Sequence, residues 1–244
     1  MSYPLPSGME IVWLGHSTVL IALPSGKRIL IDPWTHHNPS CPEKYKDPGH
    51  IDLILITHGH SDHMGDALAL AKDSECTIAC GYEIMLHLAS KGIAGHRFQP
   101  MNIGGSIQLP TLGVTLTQTH AQHSGGIDEG EKVYDGGVAA GFVIAAEGCP
   151  TIWHMGDTGV FSDMRLIGEL YQPEIVMLPI GDRFTMGPRE AALALEWLPT
   201  AKAALPLHWG TFPPLTGTPG ALKKLLALCN VSIEVLTPAP GEAI

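Results

Sequence analysis

The sequence predicts a layered fold in which helices cover the faces of β-sheets. Of its 244 residues, 45% are apolar and 16% are charged, so the chain can bury a substantial core. Short runs of apolar, branched residues alternate along the chain with segments of helical periodicity. The 28 glycine and 20 proline residues indicate many turns between short elements. This alternation of strands and helices is typical of a fold built from packed layers.

The first 92 residues are predicted to contain strands, a long loop and two helices. The strands IVWL, TVLIAL, RILID and IDLILI (51–56) are apolar and rich in branched residues, and PSGK (24–27) supplies a hairpin turn. Residues 33–50 form a loop with four prolines. A helix is expected to begin near Ser61, a candidate N-cap. The strand CTIAC follows, and then the helix GYEIMLHLASKG, which ends at Gly92.

The rest of the chain continues the alternation. The strands GSIQLP, VTLTQT and GVAAGFVIAA are expected in the middle, with a second long polar loop at 121–137 between the last two. The later strands are TIWHM, IVMLPI, AKAALPL and SIEVLTP. Three helices lie among them: FSDMRLIGEL with Ser162 as a candidate cap, GPREAALALEWL with Pro188 near its first position, and TPGALKKLLALC, which Thr218 and Pro219 open.

Seven side chains of the types that bind metals follow the ends of predicted strands. Four come directly after IDLILI, and the others follow VTLTQT, TIWHM and AALPL in turn. In chain order they are His58, His60, Asp62, His63, His123, Asp157 and His208. Strand ends at one edge of a sheet converge in space, and α/β-type layers hold their ligands at this edge. We therefore expect the seven side chains to assemble one metal site.

The chemistry of these side chains favours a catalytic site with two ions. Imidazole and carboxylate ligands without thiolate suit zinc, and also manganese, iron or nickel. Five histidines and two aspartates exceed what one tetrahedral ion can use. Asp62 and His63 are adjacent, so both are difficult to place on one ion with His58 and His60. Structural zinc sites are usually rich in cysteine, and this set contains none.

The motifs of the chain resemble those of a known family. THGHSDH has the HxHxDH form of the metallo-β-lactamase superfamily of hydrolases, and WLGHS, IDPW, AQHSGG, GDTG and HWGTFP match further motifs in order along nearly the whole chain. The resemblance is to a branch of small metal-dependent hydrolases similar to ascorbate-6-phosphate lactonases and, more distantly, to N-acyl-phosphatidylethanolamine phospholipase D. It implies an α+β, four-layer αββα sandwich, with two mixed β-sheets and outer helices, as a single domain over 1–244.

The resemblance also implies a role for each of the seven side chains. The first ion would be bound by His58, His60 and His123. The second would be bound by Asp62, His63 and His208, with Asp157 bridging the two ions. Two ions about 3.5–4 Å apart share a hydroxide that forms near pH 7. A metal-bridging hydroxide would then attack a small ester, lactone, amide or phosphodiester, with catalytic roles for Asp62, Asp157 and His16.

Other polar residues near these motifs are expected to support the site or the fold, and for two of them the sequence allows two roles. His16 is expected to contact a ligand or the substrate. Asp32 either orients a ligand histidine or makes a turn. His120 and His154 are expected to be structural. Arg183 is expected to be an exposed loop residue, with binding of an anionic substrate group as the alternative. Asp66 is expected to make hydrogen bonds near the site, and the loops 33–50 and 121–137 to form the pocket walls.

Two other activities of the same superfamily are the alternatives to this hydrolase. Persulfide dioxygenases keep HxHxDH but use one iron ion, so the motif does not exclude a mononuclear iron oxidoreductase of that type. Nucleases of the superfamily usually carry an additional RNA-binding region and a basic surface, and neither is visible in this sequence. A protein without catalytic activity would be expected to have lost ligands, and all seven are present.

Composition and charge indicate which partners and which cellular location to expect. The formal net charge is −10 and Lys plus Arg number 14, which disfavours nucleic acid and anionic membrane surfaces as partners. The five cysteines are scattered and odd in number, which is typical of idle thiols in a reducing compartment. The start of the chain lacks the pattern of a signal peptide, and no apolar run is long enough to span a membrane.

We expect a cytoplasmic enzyme with a small-molecule substrate and two divalent ions per chain. Zinc is favoured over manganese, iron or nickel, and homo-oligomer formation is left open.

Overall fold

Two mixed β-sheets lie face to face, and helices cover the outer side of each. The computed structural model describes residues 3–244. The first sheet has six strands, ordered as they occur along the chain. They are β1 (Glu10–Trp13), β2 (Val19–Ala22), β3 (Arg28–Ile31), β4 (Leu53–Ile56), β5 (Thr77–Gly81) and β6 (Phe98–Met101). The first three pair antiparallel, and β3 to β6 pair parallel.

The second sheet has seven strands. They are β7 (Ser106–Leu109), β8 (Val114–His120), β11 (Ala140–Ala146), β12 (Ile152–His154), β13 (Ile175–Pro179), β14 (Ala203–Leu207) and β15 (Glu234–Val235). Strands β7, β8, β11 and β12 pair antiparallel in that order, and β12 to β15 pair parallel. A separate hairpin of β9 (Ile127–Asp128) and β10 (Val133–Tyr134) lies between β8 and β11 in the chain.

The helices are short. They are α1 (Ser61–Met64), α2 (Ala67–Asp73), α3 (Tyr82–Ser90), α4 (Met164–Tyr171), α5 (Pro188–Glu196) and α6 (Pro219–Leu228), with 3-10 turns at Glu43–Tyr45 and Gly95–Arg97. As predicted, α5 begins at Pro188, and Thr218 caps α6 by accepting a hydrogen bond from the Ala221 backbone nitrogen at 3.2 Å. None of the helices within residues 3–244 combines the length and apolar character that crossing a lipid bilayer requires.

Alternation along the strands divides the apolar side chains among three layers. In β3, Ile29 and Ile31 face the layer between the sheets, whereas Leu30 faces the helices α1 to α3. In β13, Met177 joins the central layer and Val176 packs under α4 to α6. These two strands are therefore buried on both faces, and the predicted α+β, four-layer αββα sandwich is confirmed.

The single helix expected from Ser61 onwards is wrong. Helix α1 begins at Ser61, with His60 rather than Ser61 at the cap position, and it ends at Met64, before α2 begins at Ala67. The chain turns there because the carboxylate of Asp66 accepts hydrogen bonds from the backbone nitrogens of Thr35 (2.6 Å) and His36 (2.7 Å). The break lets Asp66 hold the start of the loop 33–50, in agreement with the hydrogen-bonding role expected for this aspartate.

Three further elements differ from the sequence-based expectation. Strand β6 was not predicted because Gln99 and Pro100 interrupt its apolar pattern, although Phe98 and Met101 are buried. The loop 121–137 contains the β9–β10 hairpin. Helix α4 begins at Met164 and is preceded by Asp163, so Ser162 is not its cap.

The ends of the parallel strands bring the candidate ligands to one edge of the sandwich. The chain passes from β3 to Asp32, from β4 to His58, and from β14 to His208. In the same sheet as β14, β12 runs parallel to β13 and leads to Asp157. Carboxyl ends of parallel strands share an edge of a sheet, and the two sheets contribute such an edge to the same side of the molecule.

Candidate metal centre

The structure brings all seven predicted ligands together, and His16 joins them. Their ligand atoms form three groups, in each of which the atoms lie within 4.8 Å of one another. The three-histidine group consists of His58, His60 and His123. The mixed group consists of His16, Asp62, His63 and His208. The third group, His58, His63 and Asp157, connects the other two.

In the three-histidine group, ring nitrogens converge on a common point. His58 Nε2 lies 2.9 Å from His60 Nδ1. The ring of His123 crosses both others, with centroids 5.1 Å from His58 and 5.0 Å from His60. Burial is the main reason that the pKa of each of these histidines lies below its ordinary value. Their imidazoles are therefore neutral, which is the protonation state that binds metal ions.

The mixed group is more buried and contains a carboxylate. His63 Nε2 lies 4.0 Å from Asp62 Oδ1, and the rings of His63 and His208 stack with centroids 5.9 Å apart. Burial alone would raise the pKa of Asp62, but the hydrogen bond from His16 and the charge of His63 outweigh it and lower this pKa. Asp62 is therefore ionised, and it supplies negative charge to the group.

Asp157 stands between the two groups. Its Oδ2 lies 3.0 Å from His208 Nε2, 3.3 Å from His63 Nε2 and 3.7 Å from His123 Nε2. The carboxylate is almost completely buried, and burial alone would raise its pKa. The imidazoles of His208 and His63 outweigh burial and hold the pKa well below its ordinary value. One buried, ionised carboxylate thus contacts histidines from both groups.

Asp32 orients ligands of both groups through the ring nitrogens that face away from the centre of the site. Its carboxylate accepts hydrogen bonds from the Thr57 backbone nitrogen and hydroxyl at 2.8 Å each, and its Oδ2 lies 2.8 Å from His63 Nδ1. Thr57 Oγ1 in turn lies 2.9 Å from His58 Nδ1. This arrangement leaves His63 Nε2 and His58 Nε2 directed towards the centre of the site, as expected of partners that orient metal-binding histidines.

His16 is fixed between Asp62 and the segment after β14. Its Nε2 lies 3.1 Å from Asp62 Oδ2, and its Nδ1 lies 3.0 Å from Thr211 Oγ1. Burial lowers the pKa of His16 to about 4, although the hydrogen bond to Asp62 opposes this shift. The ring is therefore neutral at pH 7. It donates through Nε2 to the ionised carboxylate and accepts at Nδ1 from the threonine hydroxyl.

The residues fit positively charged ions at this place. His63 Nε2 is fully buried and has no hydrogen-bond partner, because its contact with Asp157 is not aligned for one. Burial opposes a positive charge on His63, yet Asp157 and Asp32 outweigh it and raise the pKa of this histidine well above its ordinary value. The carboxylates thus favour positive charge here, and the nitrogen and oxygen donor set suits a divalent ion such as zinc.

Backbone strain accompanies the site. His16, Asp32 and His208 adopt left-handed conformations with φ of 56°, 49° and 53°. Such a conformation costs about 1–2 kcal/mol for a residue other than glycine, and Asp tolerates it better than His. The surrounding hydrogen bonds hold these residues in place; for example, the His208 backbone nitrogen donates to the His16 carbonyl at 3.0 Å. Strained residues of this kind cluster at functional sites.

Close packing between the HxHxDH segment and the loop that carries His123 requires a glycine. A Cβ at Gly59 would lie 2.5 Å from Ile127 Cγ1 and 2.6 Å from the Gly125 carbonyl oxygen. No side chain fits there without moving the loop 121–137. Gly59 therefore lets His123 approach His58 and His60.

Residues expected to be structural lie apart from the metal groups. His120 is exposed at the end of β8, and its ring contacts Phe161 with centroids 5.0 Å apart. His154 is buried, 3.2 Å from the Ser17 carbonyl oxygen, and accepts a hydrogen bond from the Gly156 backbone nitrogen. Arg183 is exposed on its loop, as expected.

A cavity of about 270 Å³ opens onto the two groups. Its lining consists of His60, Asp62, His123, Ser124, Asp157, Phe184, His208 and Phe212. The loop 121–137 contributes to this lining, whereas 33–50 does not, so the expectation that both loops form the walls is corrected. Trp34 from 33–50 lies behind the wall, with ring centroids 6.0 Å from Phe212.

Several residues of the site were not predicted from the sequence. Thr57 precedes the first histidine of HxHxDH and Thr211 lies in HWGTFP, but neither position indicates a hydrogen bond to a histidine. Phe184 and Phe212 lie in loops without periodicity. Their proximity to predicted strand ends points to both, and Phe212 also belongs to the HWGTFP motif.

Known proteins resemble this chain over most of its length. A family model described as the beta-lactamase superfamily domain matches residues 27–209. A metal-dependent hydrolase of Koribacter versatilis is 46% identical over 224 residues, which cover 92% of this chain and 94% of the relative. A metal-dependent hydrolase of Solibacter usitatus is 46% identical over 237 residues, which cover 97% of this chain and 99% of the relative.

A solved structure agrees with these relatives. A metallo hydrolase from the hyperthermophilic archaeon Ignicoccus hospitalis superposes with a TM-score of 0.84 and 33% identity, and the match covers 97% of each chain. The chain therefore belongs to the beta-lactamase superfamily, and the resemblance expected from the motifs is confirmed.

Proposed function

We propose that this metal-dependent hydrolase of the metallo-β-lactamase superfamily uses two divalent ions to cleave a small ester, lactone, amide or phosphodiester. One observation carries the proposal: Asp157 contacts histidines of both groups, with 3.7 Å to His123 and 3.0 Å to His208. A carboxylate between two sets of ligand atoms is the arrangement that a bridged pair of ions requires. Two ions also use all seven predicted ligands, whereas one ion leaves several without a role.

The proposed ligands divide between the ions as the groups do, except that His16 of the mixed group is a positioning residue and not a ligand. The first ion would be held by His58, His60 and His123, and the second by Asp62, His63 and His208, with Asp157 shared. Zinc is the favoured metal because the donors are imidazoles and carboxylates without thiolate; manganese, iron and nickel accept the same donors. The bound pair supplies a nucleophile from water, whose pKa a metal ion lowers to about 7, and polarises the substrate oxygen.

The chain's own residues position the reaction. Asp62 lines the cavity, and its ionised carboxylate would accept a hydrogen bond from a water bound there and so orient it. His16 does not line the cavity; it acts through Asp62, which it holds at 3.1 Å. Asp32 keeps His63 in one tautomer and one orientation through the 2.8 Å contact with Nδ1.

The names of the relatives support hydrolysis rather than persulfide oxidation. The contacts of Asp157 support two ions rather than the single iron of a dioxygenase. Nuclease activity gains no support from the surface charge, since the formal net charge is −10.

Metal content and turnover test the proposal together. Protein purified without chelators is expected to contain two equivalents of metal per chain by elemental analysis. It is expected to hydrolyse 4-nitrophenyl acetate or bis(4-nitrophenyl) phosphate at a rate that rises with pH through the neutral range. A chelator abolishes this turnover, and added zinc or manganese restores it. Turnover that persists after complete metal removal contradicts the mechanism, and one iron per chain with oxygen uptake on a persulfide identifies the dioxygenase instead.

A further inference from the structure

The wall of the cavity that does not bind metal is aromatic. Apart from candidate ligands, its lining consists of Ser124, Phe184 and Phe212. Both phenylalanines are well exposed, Phe184 by 55% and Phe212 by 38%. Large apolar rings that remain in water beside a reactive site indicate contact with an apolar ligand.

A constrained turn holds Phe184 at the cavity. The two preceding residues, Asp182 and Arg183, both adopt left-handed conformations, with φ of 68° and 57°. Hydrogen bonds fix this turn: the Asp182 backbone nitrogen donates to the Met186 carbonyl at 3.0 Å, and the Met186 nitrogen donates to Thr158 at 2.9 Å. Consecutive strained residues outside glycine are uncommon, and such strain is typical of functional loops.

Phe212 is held from the opposite part of the chain. It follows β14 and lies four residues after His208. Its ring contacts that of His16 edge to face, with centroids 5.6 Å apart, and that of Trp34 at 6.0 Å. Phe212 is therefore supported by neighbours on its inner side while the cavity side stays open.

Charge and size limit what this cavity accepts. Within residues 3–244, no lysine or arginine belongs to the lining, although five candidate ligands, all histidines or aspartates, face the cavity. Arg183 is exposed, with its guanidinium carbon 5.4 Å from the Phe184 ring centroid and outside the lining. The formal net charge of −10 also disfavours anionic ligands. A volume of about 270 Å³ is small for a ligand site; by comparison, an apolar cavity of about 150 Å³ holds one benzene molecule.

We propose that the site takes small uncharged substrates that carry one aromatic or branched apolar group next to the scissile bond, with Phe184 and Phe212 as the residues that recognise this group. The inference rests on the proposed function, because the apolar group is defined relative to a bond that the metal pair cleaves. It disfavours substrates that carry a further anionic group away from the scissile bond, because apart from the ions the lining supplies no cation.

Binding of paired hydroxamic acids to the zinc-loaded protein tests this inference without relying on turnover. Acetohydroxamic and benzohydroxamic acid carry the same metal-binding group and differ in the ring, whereas succinic monohydroxamic acid adds a carboxylate. Calorimetry is expected to show that benzohydroxamic acid binds at least about 10-fold more tightly than the other two, since an apolar group in a matching pocket changes discrimination by about 10- to 200-fold.

Variants assign the preference to the two rings. Phe184→Ala and Phe212→Ala are each expected to reduce the preference for benzohydroxamic acid to less than half, while the affinity for acetohydroxamic acid and the metal content stay unchanged. Tyr82→Ala removes an aromatic side chain of similar exposure (49%) on α3, away from the cavity, and is expected to keep the preference.

The kinetic counterpart compares trifluoroethyl acetate with trifluoroethyl phenylacetate, followed by acid release. The phenylacetate is expected to have the higher kcat/KM, by at least about 10-fold.

Three binding results would overturn the inference. They are equal affinities, a preference that survives both phenylalanine substitutions, and tighter binding of the carboxylate compound that is lost in Arg183→Ala. A protein with two ions that binds none of the three compounds would overturn it as well. A protein that binds no metal instead overturns the proposed function, so the two failures are distinguishable.

Discussion

The three-histidine group and the mixed group differ in how their side chains are held. In the three-histidine group, His58 is fully buried, but His60 and His123 are half-buried and face the cavity. His123 comes from the loop 121–137 rather than from a strand or helix. In the mixed group, His16, His63 and His208 are buried, and a carboxylate or threonine fixes His63 and His16.

This difference indicates that the three-histidine group and the mixed group, the two halves of the centre, reach their metal-binding geometry in different ways. A ligand set whose orientation is fixed by buried hydrogen bonds is pre-organised, and its metal affinity depends on these outer partners. A set that depends on a loop reaches its geometry only when the loop is packed in place, as it is here through Gly59. We therefore expect substitutions to act on the two groups separately, except at Asp157, which contacts both, and at Asp32, which orients ligands of both.

The largest effect is expected for Asp157→Asn, which keeps the shape of the side chain and removes its charge. Three histidine nitrogens lie within 3.7 Å of Asp157 Oδ2, so both ions lose a ligand. Metal content is expected to fall below one equivalent per chain. The rate is expected to fall at least about 1000-fold, because metal ions contribute several kcal/mol of transition-state stabilisation and each 1.36 kcal/mol is a factor of ten.

Asp73→Asn is the matched control for this change. Asp73 is exposed at the end of α2, and its substitution is expected to leave both metal content and rate as in the wild type. If Asp157→Asn retained two ions and a wild-type rate, Asp157 would not be a ligand that the two ions share.

A smaller but still severe effect is expected for His123→Ala. This substitution removes one of three ligands from the half that depends on the loop, so metal content is expected to fall from two towards one equivalent while turnover is lost. The fold is expected to persist, because His123 is half-buried and outside the apolar layers. Elemental analysis and circular dichroism measure the two outcomes.

His120→Ala tests the assignment of that position. His120 is exposed, and its ring contacts Phe161, so its loss is expected to leave both ions bound and to lower the rate only modestly. Loss of an ion from His120→Ala together with full occupancy in His123→Ala would show that the ligand was chosen wrongly between these two histidines.

The ligands could be predicted from the sequence because most of them lie in one local motif. HxHxDH places four candidates within six residues at the end of one strand, and three further strand ends provide the rest. The layered architecture followed from the alternation of strands and helices, and the two-sheet arrangement followed from the family resemblance.

The parts that could not be predicted depend on contacts between distant residues. The break after α1 exists because Asp66 holds backbone atoms of Thr35 and His36, and periodicity cannot indicate such a contact. Strand β6 forms through parallel pairing with β5, which compensates for its irregular pattern. The partners behind the ligands, such as Thr57 and Thr211, depend on rotamers and loop conformations, and neither is apparent from residue type.

An intermediate effect is expected for Asp32→Asn, which acts on the mixed group from behind. Asn fits the left-handed backbone at this position (φ 49°) about as well as Asp, so strain is not added. The substitution removes the charge that holds His63 Nδ1, and it is expected to lower metal affinity or rate by about 10- to 100-fold. A competition titration with a chelator measures which ion is lost.

Asp52→Asn serves as the control for Asp32→Asn. Asp52 also accepts hydrogen bonds from a backbone nitrogen and a side chain, in this case Arg28 and Lys27, but it lies outside the metal groups. Its substitution is expected to leave metal affinity unchanged. If Asp32→Asn weakened the ion of the three-histidine group more than that of the mixed group, the relay through Thr57 to His58 would matter more than the direct contact with His63.

The smallest effect is expected for Thr211→Val, which removes the outermost partner of the mixed group while preserving its shape. Burial lowers the pKa of His16 to about 4, so the ring is neutral at pH 7 and its Nδ1 accepts a hydrogen bond from Thr211. A neutral hydrogen bond contributes about 0.5–1.5 kcal/mol, which corresponds to a reduction in rate of about 2- to 10-fold. The ions are expected to stay bound, because in this arrangement His16 acts through Asp62 and is not itself a ligand. Thr211→Ser keeps the hydroxyl and is expected to restore the wild-type rate. A loss of metal in Thr211→Val would instead indicate that His16 binds the second ion directly, which would make the mixed group a set of four ligands rather than three ligands and a positioning residue.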